Sequence, residues 1–235
     1  MTDDALTTRD RIIQAAATLL AEGGRDAVST RAVSAAAGVQ APTIYRAFGD
    51  MQGLFDEVAS YGFASYLKAK TERPLSDDPV DDLRSGWDLH VGFAVANPAF
   101  YTLMYGEPRP NSTRAAALRA QEILHMLVGR VAAAGRLLVD VERAAQMIHS
   151  ASSGVALSLI ATKSQDRDPE LSARVREAIL AAITTDAPAP VAQAGTASHA
   201  IALKASLPGA DTGLTEPEQA LLVQWLDRIA QTGQR

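Results

Sequence analysis

The sequence predicts an all-α protein in which a small N-terminal domain of three helices precedes a larger C-terminal helical domain. Apolar residues recur at the spacing of an α-helix in successive segments along most of the 235 residues. No segment shows the apolar-polar alternation of a half-buried β-strand. Residues 29–49 are typical of a helix-turn-helix motif, because two short helical patterns meet there at Gly38.

The amino-acid composition limits the class of protein and the kinds of site that the chain can form. Hydrophobic residues make up 47% of the chain and charged residues 21%, which is ordinary for a soluble globular protein. The absence of cysteine excludes disulfides, thiolate metal sites and cysteine nucleophiles, and it fits a reducing cytosol. The N-terminus has neither a basic start nor an apolar run, so we expect a cytoplasmic protein.

The first helix is predicted over residues 8–22. Thr7 is a suitable N-cap with Asp10 three residues later, and the pair Gly23-Gly24 ends the apolar pattern. The two motif helices follow. Ser29 caps the first of them, and Pro42 is tolerated in the opening turn of the second.

A long fourth helix is predicted to begin after Asp50 and to run for roughly 24 residues, about 36 Å, until Pro74. A helix of this length has to leave the small domain and join another. Residues 74–79 are rich in turn-forming residues, so the predicted domains are 7–67, with the motif at about 29–48, and 75–185.

The second domain is predicted to consist of further helices, at roughly 80–96, 100–105, 113–134, 140–163 and 169–184. The fourth of these is rich in small residues such as Ser150 and Gly154, which allow another helix to approach closely. The last two could form half of a four-helix seam between two subunits. The alternative is that both serve only the core of their own subunit.

Residues 144–162 approach the length of a membrane span, but they include Gln146, His149 and several hydroxyl side chains. A buried helix at a helix-helix contact is the better interpretation, and no membrane association is expected.

The C-terminal part divides into a connector and a last helix. Residues 186–213 are rich in alanine, proline and glycine and are predicted to form a flexible connector. Thr215 and Glu218 have the spacing of a capping box, so residues 214–232 are predicted to form a docking helix. The pattern leaves open whether this helix packs on its own subunit or on a partner.

Residues 7–67 resemble the DNA-binding domain of the TetR family of bacterial repressors. The similarity runs from Thr-Thr-Arg-Asp-Arg-Ile-Ile-Gln-Ala-Ala through Pro-Thr-Ile-Tyr-Arg-Ala-Phe-Gly-Asp to Gly-Leu-Phe-Asp-Glu-Val. The resemblance implies a DNA-binding domain followed by a helical domain that binds a small-molecule effector and dimerises. Residues 27–49 contain two arginines and no acid, which suits this role despite the net charge of −5.

The resemblance also implies which side chains contact DNA. Thr30 and Arg31 match positions that touch phosphate and groove edge, and Thr43 and Tyr45 match positions that bond phosphates. Arg46 could read guanine and Gln40 adenine, while Ala41 or Pro42 could contact a thymine methyl. A phosphate contact is an equal alternative for Arg46. The full predicted set is Thr30, Arg31, Gln40, Ala41, Pro42, Thr43, Tyr45, Arg46, Met51 and Gln52.

Two positions depart from the family pattern. Ala47 stands where a histidine is common, and Met51 stands where a lysine is common. Because both usual residues contact phosphate, we expect a shallower salt dependence of DNA binding. The N–H groups at Met51 and Gln52 could still hold a phosphate at the helix start.

An effector cavity is implied by the resemblance alone, and its lining residues are selected among aromatic, methionine and histidine side chains. Such residues are most often plain core. The selected candidates are Trp87, His90, Phe93, Met104, Tyr105, Met126, Met147 and His149.

No enzymatic site is predicted. The sequence has no phosphate-binding glycine loop, no nucleophile elbow and no paired histidines at metal-binding spacing, so neither a metal nor another cofactor is expected. Glu122 and His125 form one Glu-x-x-His, but a di-iron site needs a second copy. They are interpreted as a solvated or capping pair, and His90 and His149 as satisfied interior groups.

These observations favour a transcriptional regulator, in the form of a repressor that a small molecule releases from DNA. One short helix reads only a few base pairs, so a homodimer on a palindromic operator of double-stranded DNA is predicted. Two alternatives of other classes remain. One is a helical carrier or enzyme with a structural N-terminal domain, and the other is a DNA-organising protein without an effector.

Overall fold

The computed structural model describes residues 7–106, 115–186 and 196–232, and this part of the chain is built from α-helices. In chain order they are α1 (Thr8–Ala27), α2 (Thr30–Ala37), α3 (Ala41–Phe48), α4 (Met51–Thr71), α5 (Pro79–Ala96), α6 (Pro98–Tyr105), α7 (Ala115–Ala133), α8 (Val141–Ala161), α9 (Leu171–Ile183), α10 (Thr196–Ser206) and α11 (Glu216–Thr232). A 3-10 turn occupies Ser164–Asp166. In the described ranges, β pairing is confined to one isolated bridge between Leu137 and Thr184. The predicted all-α class is confirmed.

The N-terminal helices begin at the residues that the sequence nominates as caps. The Thr7 hydroxyl accepts a bond from the backbone N–H of Asp10, and the Asp10 carboxylate accepts one from the N–H of Thr7, both at 3.1 Å. Ser29 Oγ accepts from Ala32 N at 3.2 Å, and Asp50 Oδ1 accepts from Gly53 N at 2.8 Å. Each contact satisfies an N–H group that has no partner within the helix.

Two helix ends differ from the prediction. The turn of α1 continues beyond Gly23, and the break falls at Gly24, which has a φ of 70° and a ψ of −169°. Helical geometry then resumes as far as Ala27. Helix α4 ends at Thr71, before Pro74, because the residue before a proline disfavours the helical region and the turn forms upstream of it.

The predicted flexible connector over residues 186–213 is wrong for residues 196–206, which form α10. This helix forms because Ala200 and Ile201 are buried where α10 packs on α11, a contact that the alanine-rich sequence alone does not indicate. Residues 187–195 of the predicted connector lie outside the described residues.

The chain divides into two compact units whose boundary differs from the predicted one. The first unit takes in the chain up to Glu72, Gly92–Ala120 and Ala156–Ser164. The second takes in Arg73–Val91, Gln121–Val155 and Gln165–Arg235. The first unit extends into the predicted effector domain because rings on α4 pack against rings on α5 and α6, including Phe63 on Phe93 at 4.8 Å.

The N-terminal helices of the first unit share one apolar core. Side chains from α1, α2, α3 and α4 meet there, each at most 1% exposed: Ile12, Ala16, Leu20, Val33, Ile44, Leu54 and Val58. Burial of each large aliphatic side chain contributes about 1.5 to 3 kcal/mol. The core holds α3 by Ile44 and leaves the opposite side of that helix outside.

The second unit combines an apolar core with partly buried ion pairs. Asp82 on α5 is 6% exposed, and its carboxylate accepts from Arg130 on α7 and from the Ser76 backbone N–H. Arg136 pairs with Asp78 at 2.6 Å and donates to the Thr185 carbonyl at 2.8 Å. These bonds join the segment before α5 to the ends of α7 and α9.

The last helix packs within its own chain. Leu226 and Ala230 of α11 are buried, and Lys204 of α10 pairs with Asp227 at 2.5 Å. At its start, Thr215 donates from both its N–H and its hydroxyl to the Glu218 carboxylate. Among the described helices, none is both long enough and apolar enough to cross a membrane.

Candidate nucleic-acid interface

The turn between α2 and α3 depends on one glycine and one proline. Gly38 ends α2 with a φ of 65°, a left-handed conformation that glycine adopts without strain, and Val39 N donates to Ser34 O at 3.0 Å. Pro42 lies in the first turn of α3, where its missing N–H costs no helical bond. The two motif helices therefore form where the sequence predicts them.

The outer side of α3 is open to solvent. Arg31, Gln40, Pro42, Tyr45 and Arg46 are exposed, while Ile44 on the other side is fully buried. Thr30, Ala41 and Thr43 are half-buried at the edge of this surface. None of the described helices covers the predicted contact face, as insertion into a groove requires, and contact with DNA itself stays a prediction.

The side chains of this surface are partly fixed before any ligand binds. The Thr30 and Tyr45 hydroxyls share a hydrogen bond of 3.2 Å, which links α2 to α3. Arg46 Nη2 lies 3.4 Å from Thr43 Oγ1, a long contact that leaves most of the guanidinium available. Two neighbouring hydroxyls are well placed to act on one phosphate, while Arg46 remains free to reach a base edge.

The start of α4 offers free backbone N–H groups to a phosphate, but its side chains weaken this site. The Asp50 carboxylate already accepts from Gly53 N, and its negative charge opposes a phosphate at the same helix end. The Gln52 amide donates to Asp56 at 2.9 Å, so this side chain is engaged inside the helix. Met51 and Gln52 are both half-buried, and only their N–H groups suit the predicted role.

Arg9 has a structural role that sequence reasoning missed. Its guanidinium donates to the Ala47 carbonyl at 2.8 Å, pairs with Glu57 at 2.7 Å and lies 4.7 Å from the centre of the Phe48 ring. Arg9 therefore holds the end of α3 against α1 and α4, and it is not a spare cation for phosphates. The local spacing gives no signal of this, because Ala47 is distant from Arg9 in sequence.

The predicted effector residues fall in three groups. Trp87, His90 and Met104 are buried, Phe93, Tyr105 and Met147 are half-buried, and Met126 and His149 are exposed. In the first unit, the rings of Phe93 and Tyr105 lie 4.8 Å and 5.8 Å from Phe63. In the second, Trp87 donates to Ser172 at 3.0 Å.

The interior placement predicted for His149 is wrong, and Met126 likewise does not lie in the interior. Leu127 and Val128 occupy the inner side of α7, and Ile148 occupies the inner side of α8, so the neighbouring positions turn outward. Both side chains are therefore exposed to solvent in the single chain.

His125 is held by a carbonyl and a carboxylate. Nδ1 lies 2.8 Å from the Gln121 carbonyl, and Nε2 lies 2.9 Å from Glu142 on α8. Burial lowers the pKa of His125, but these two partners outweigh it and raise the pKa above its usual value. In the described ranges, no three histidine or acidic side chains cluster as a metal site requires.

Family models cover both halves of the chain. The model of bacterial regulatory proteins of the tetR family matches residues 12–58. The model of the tetracyclin repressor-like C-terminal domain matches residues 83–183, and the two matches together span more than half of the chain. No curated protein sequence matches the chain.

Several solved structures have the same fold. A protein with unknown function from Rhodococcus sp. RHA1 aligns over 79% of this chain and 100% of its own, with 20% identity and a TM-score of 0.65. The regulator PfmR from Thermus thermophilus aligns over 74% of this chain and 96% of its own, with 24% identity and a TM-score of 0.52. A TetR variant from Acinetobacter baumannii, in complex with minocycline, aligns over 72% and 89%, with 18% identity and a TM-score of 0.54. The chain therefore belongs to the TetR family of bacterial regulatory proteins, whose members are transcription regulators rather than enzymes.

Proposed function

We propose that this TetR-family regulator is a cytoplasmic repressor that binds a palindromic operator as a homodimer and leaves it when a small molecule binds. The observation that carries the proposal is the open outer side of α3, which presents Gln40, Tyr45 and Arg46 above the buried Ile44. Residues 27–49 contain no acid, so nothing on this segment repels the phosphate backbone.

Selection of bound sites from a random DNA pool tests the DNA-reading role. We expect an inverted repeat with half-sites about one helical turn, roughly 34 to 36 Å, apart. With the selected site, Arg46→Ala should relax preference at one base by about 1 to 3 kcal/mol, because a bidentate contact is lost.

Tyr45→Phe is the matched control for that experiment. It removes a hydroxyl assigned to phosphate, so affinity should fall equally for all sequences. An unenriched pool, or identical effects of the two substitutions on sequence preference, would contradict the assignment.

The homodimer is proposed to form through α8 and α9. The exposed side of α8 carries the uncharged Gln146, Ser150 and Gly154, and α9 exposes small residues that include Ala178 and Ala182. A Cβ built on Gly154 meets no atom within 4 Å, so its surroundings within the chain are open. Small uncharged side chains let the same helices of a second copy approach closely.

Gly154→Arg tests this surface by light scattering. The bulky cation should prevent close approach, giving a monomer that no longer binds the palindrome. Gly92→Arg is the control, since Gly92 is also an exposed helical glycine with open space around it. A dimer that survives the first substitution would exclude this seam.

Effector release is proposed to act through the spacing of the two DNA-reading helices. A ligand that favours another tilt of α4 would alter that spacing, and a coupling of about 1 to 3 kcal/mol weakens operator binding roughly 5- to 150-fold. Titration of labelled operator with and without ligand measures this ratio. Equal affinities at saturating ligand would show that the bound molecule is no effector.

A further inference from the structure

Five rings of the first unit form an aromatic cluster, composed of Phe63 and Tyr66 on α4, Phe93 on α5, and Tyr101 and Tyr105 on α6. Phe63 lies at its centre, 4.8 Å from Phe93, 5.3 Å from Tyr66 and 5.8 Å from Tyr105. The interplanar angles of these three pairs, between 63° and 76°, are those of edge-to-face packing. Phe93 and Tyr105 are half-buried, so part of each side chain is open to solvent.

An ammonium group lies at the edge of the aromatic cluster. Lys70 Nζ is 3.3 Å from the Tyr66 hydroxyl, 3.5 Å from the Ala120 carbonyl and 5.5 Å from the centre of the Tyr66 ring. Both hydrogen-bond distances are long for a charged donor, whose bonds are usually shorter than 3 Å. No carboxylate of the described residues pairs with Lys70.

Among the described residues, no negative charge compensates this ammonium. Burial lowers the pKa of Lys70 to about 8, and no charged neighbour contributes to the shift. Burial also raises the pKa of Tyr66 and Tyr105 above their usual range, so their hydroxyls stay neutral. A cationic donor and neutral O–H groups are therefore present together in the described part of the chain, and no carboxylate there pairs with the cation.

We infer that Lys70, at the edge of the aromatic cluster, is the recognition site for an aromatic carboxylate, which is the class of effector for the proposed ligand-released repressor. The carboxylate would accept from the Lys70 ammonium, replacing its two long contacts with the Tyr66 hydroxyl and the Ala120 carbonyl by a charge-assisted pair. The aryl body would pack against the half-buried edges of Phe93 and Tyr105. A cationic ligand is disfavoured because it would add a second positive charge beside Lys70. A neutral ligand would leave the cost of burying that charge uncompensated.

Direct binding without DNA tests the inference, with calorimetric titration at pH 7 of 2-naphthoate, its neutral amide 2-naphthamide, and octanoate. The naphthoate should bind at least about tenfold more tightly than either of the others, since one charge-assisted pair is worth roughly 1.5 to 3 kcal/mol. Equal binding of the acid and the amide would overturn the inference.

Variants then assign the binding to Lys70. Lys70→Met should weaken naphthoate binding about tenfold or more while leaving the weak amide binding unchanged, and Lys70→Arg should restore part of the loss. Lys68→Met is the matched control, because Lys68 lies on the same helix with a side chain 72% exposed. If Lys68→Met lowers the affinity as much as Lys70→Met, the inference is wrong.

Operator binding by the same protein separates this inference from the proposed function. A chain that binds its selected operator but no aryl carboxylate at millimolar concentration would remain a DNA-binding regulator and lose this ligand class. Lys70-dependent carboxylate binding by a chain that selects no DNA would support the site and reject the repressor.

Discussion

Asp82 is a residue on which the second unit depends. Its carboxylate is 6% exposed and holds both Arg130 and the Ser76 N–H. Asp82→Ala leaves the Arg130 guanidinium, whose side chain is 30% exposed, without its acid. We expect a loss of about 2 to 4 kcal/mol in unfolding free energy, measured by urea denaturation at pH 7.

The neighbouring acid provides the control for that prediction. Asp81 pairs with Arg84, but its side chain is 58% exposed, so Asp81→Ala should cost less than about 1 kcal/mol. Equal losses for the two substitutions would show that burial of Asp82 adds nothing to the pair.

The lowered pKa of Lys70 should make the free energy of unfolding depend on pH. Its pKa is about 8 in the folded chain and 10.5 in the unfolded chain, so the unfolded state binds more protons between these values. Stability should therefore rise with pH through this window, and Lys70→Met should lack the rise. Urea unfolding from about pH 7 to 9.5 should show the difference between the two proteins change by about 1 to 2 kcal/mol. Parallel curves would contradict the burial of this ammonium.

At the scale of elements, α3 and α4 approach so closely that only glycine fits at position 53. A Cβ there would lie 2.1 Å from the Phe48 carbonyl oxygen, a backbone atom that cannot turn aside. Gly53→Ala should separate the two helices, cost about 1 to 3 kcal/mol in stability and weaken operator binding.

Gly129→Ala should stabilise the chain, in contrast to Gly53→Ala. Gly129 lies inside α7, and a Cβ built on it meets no atom within 4 Å. The same methyl group should therefore stabilise the chain by up to about 1 kcal/mol, because alanine loses less backbone freedom on folding. Thermal unfolding of both variants would compare them, and a shift in the same direction would contradict the close approach at Gly53.

Elements whose signals are local were predictable, whereas those that depend on distant partners were not. Thr7, Ser29 and Asp50 act within their own first turns, so the starts of α1, α2 and α4 follow from the sequence. Helix α10 lacks such a signal, because its mostly small residues become ordered against α11.

In the candidate site, too, features with a local sequence signal were predictable and those that depend on distant partners were not. The outer side of α3 follows from the motif, since the phase of a short helix is fixed by its one buried residue, Ile44. Lys70 and Arg9 were missed because their partners, the Ala120 and Ala47 carbonyls, are backbone atoms of other helices. His149 was misplaced because the polar and small residues of α8 do not fix which side faces inward.

For the whole molecule, the number of available cations predicts the salt dependence of operator binding. Arg31 and Arg46 are exposed on the proposed interface, while Arg9 is committed to Glu57 and the positions of Ala47 and Met51 are neutral. Arg31 at a phosphate and Arg46 in the groove between the phosphates bring two cations in each subunit, or about four in a dimer. Each neutralised phosphate charge contributes a slope of about −0.9. The logarithm of the affinity should therefore fall with the logarithm of the salt concentration at a slope of about −3 to −4.

Fluorescence anisotropy of labelled operator, from about 50 to 300 mM KCl, measures this slope. Arg31→Ala should reduce its magnitude by about 2, since one phosphate contact is lost in each subunit. Arg9→Ala should instead lower affinity through displacement of α3, with the slope unchanged. A slope steeper than about −7 in the unmodified protein, or a shallower slope in the Arg9 variant, would mean that cations outside α2 and α3 hold the DNA. The fixed contacts of Arg9 with Glu57 and Phe48 would then have to open on binding.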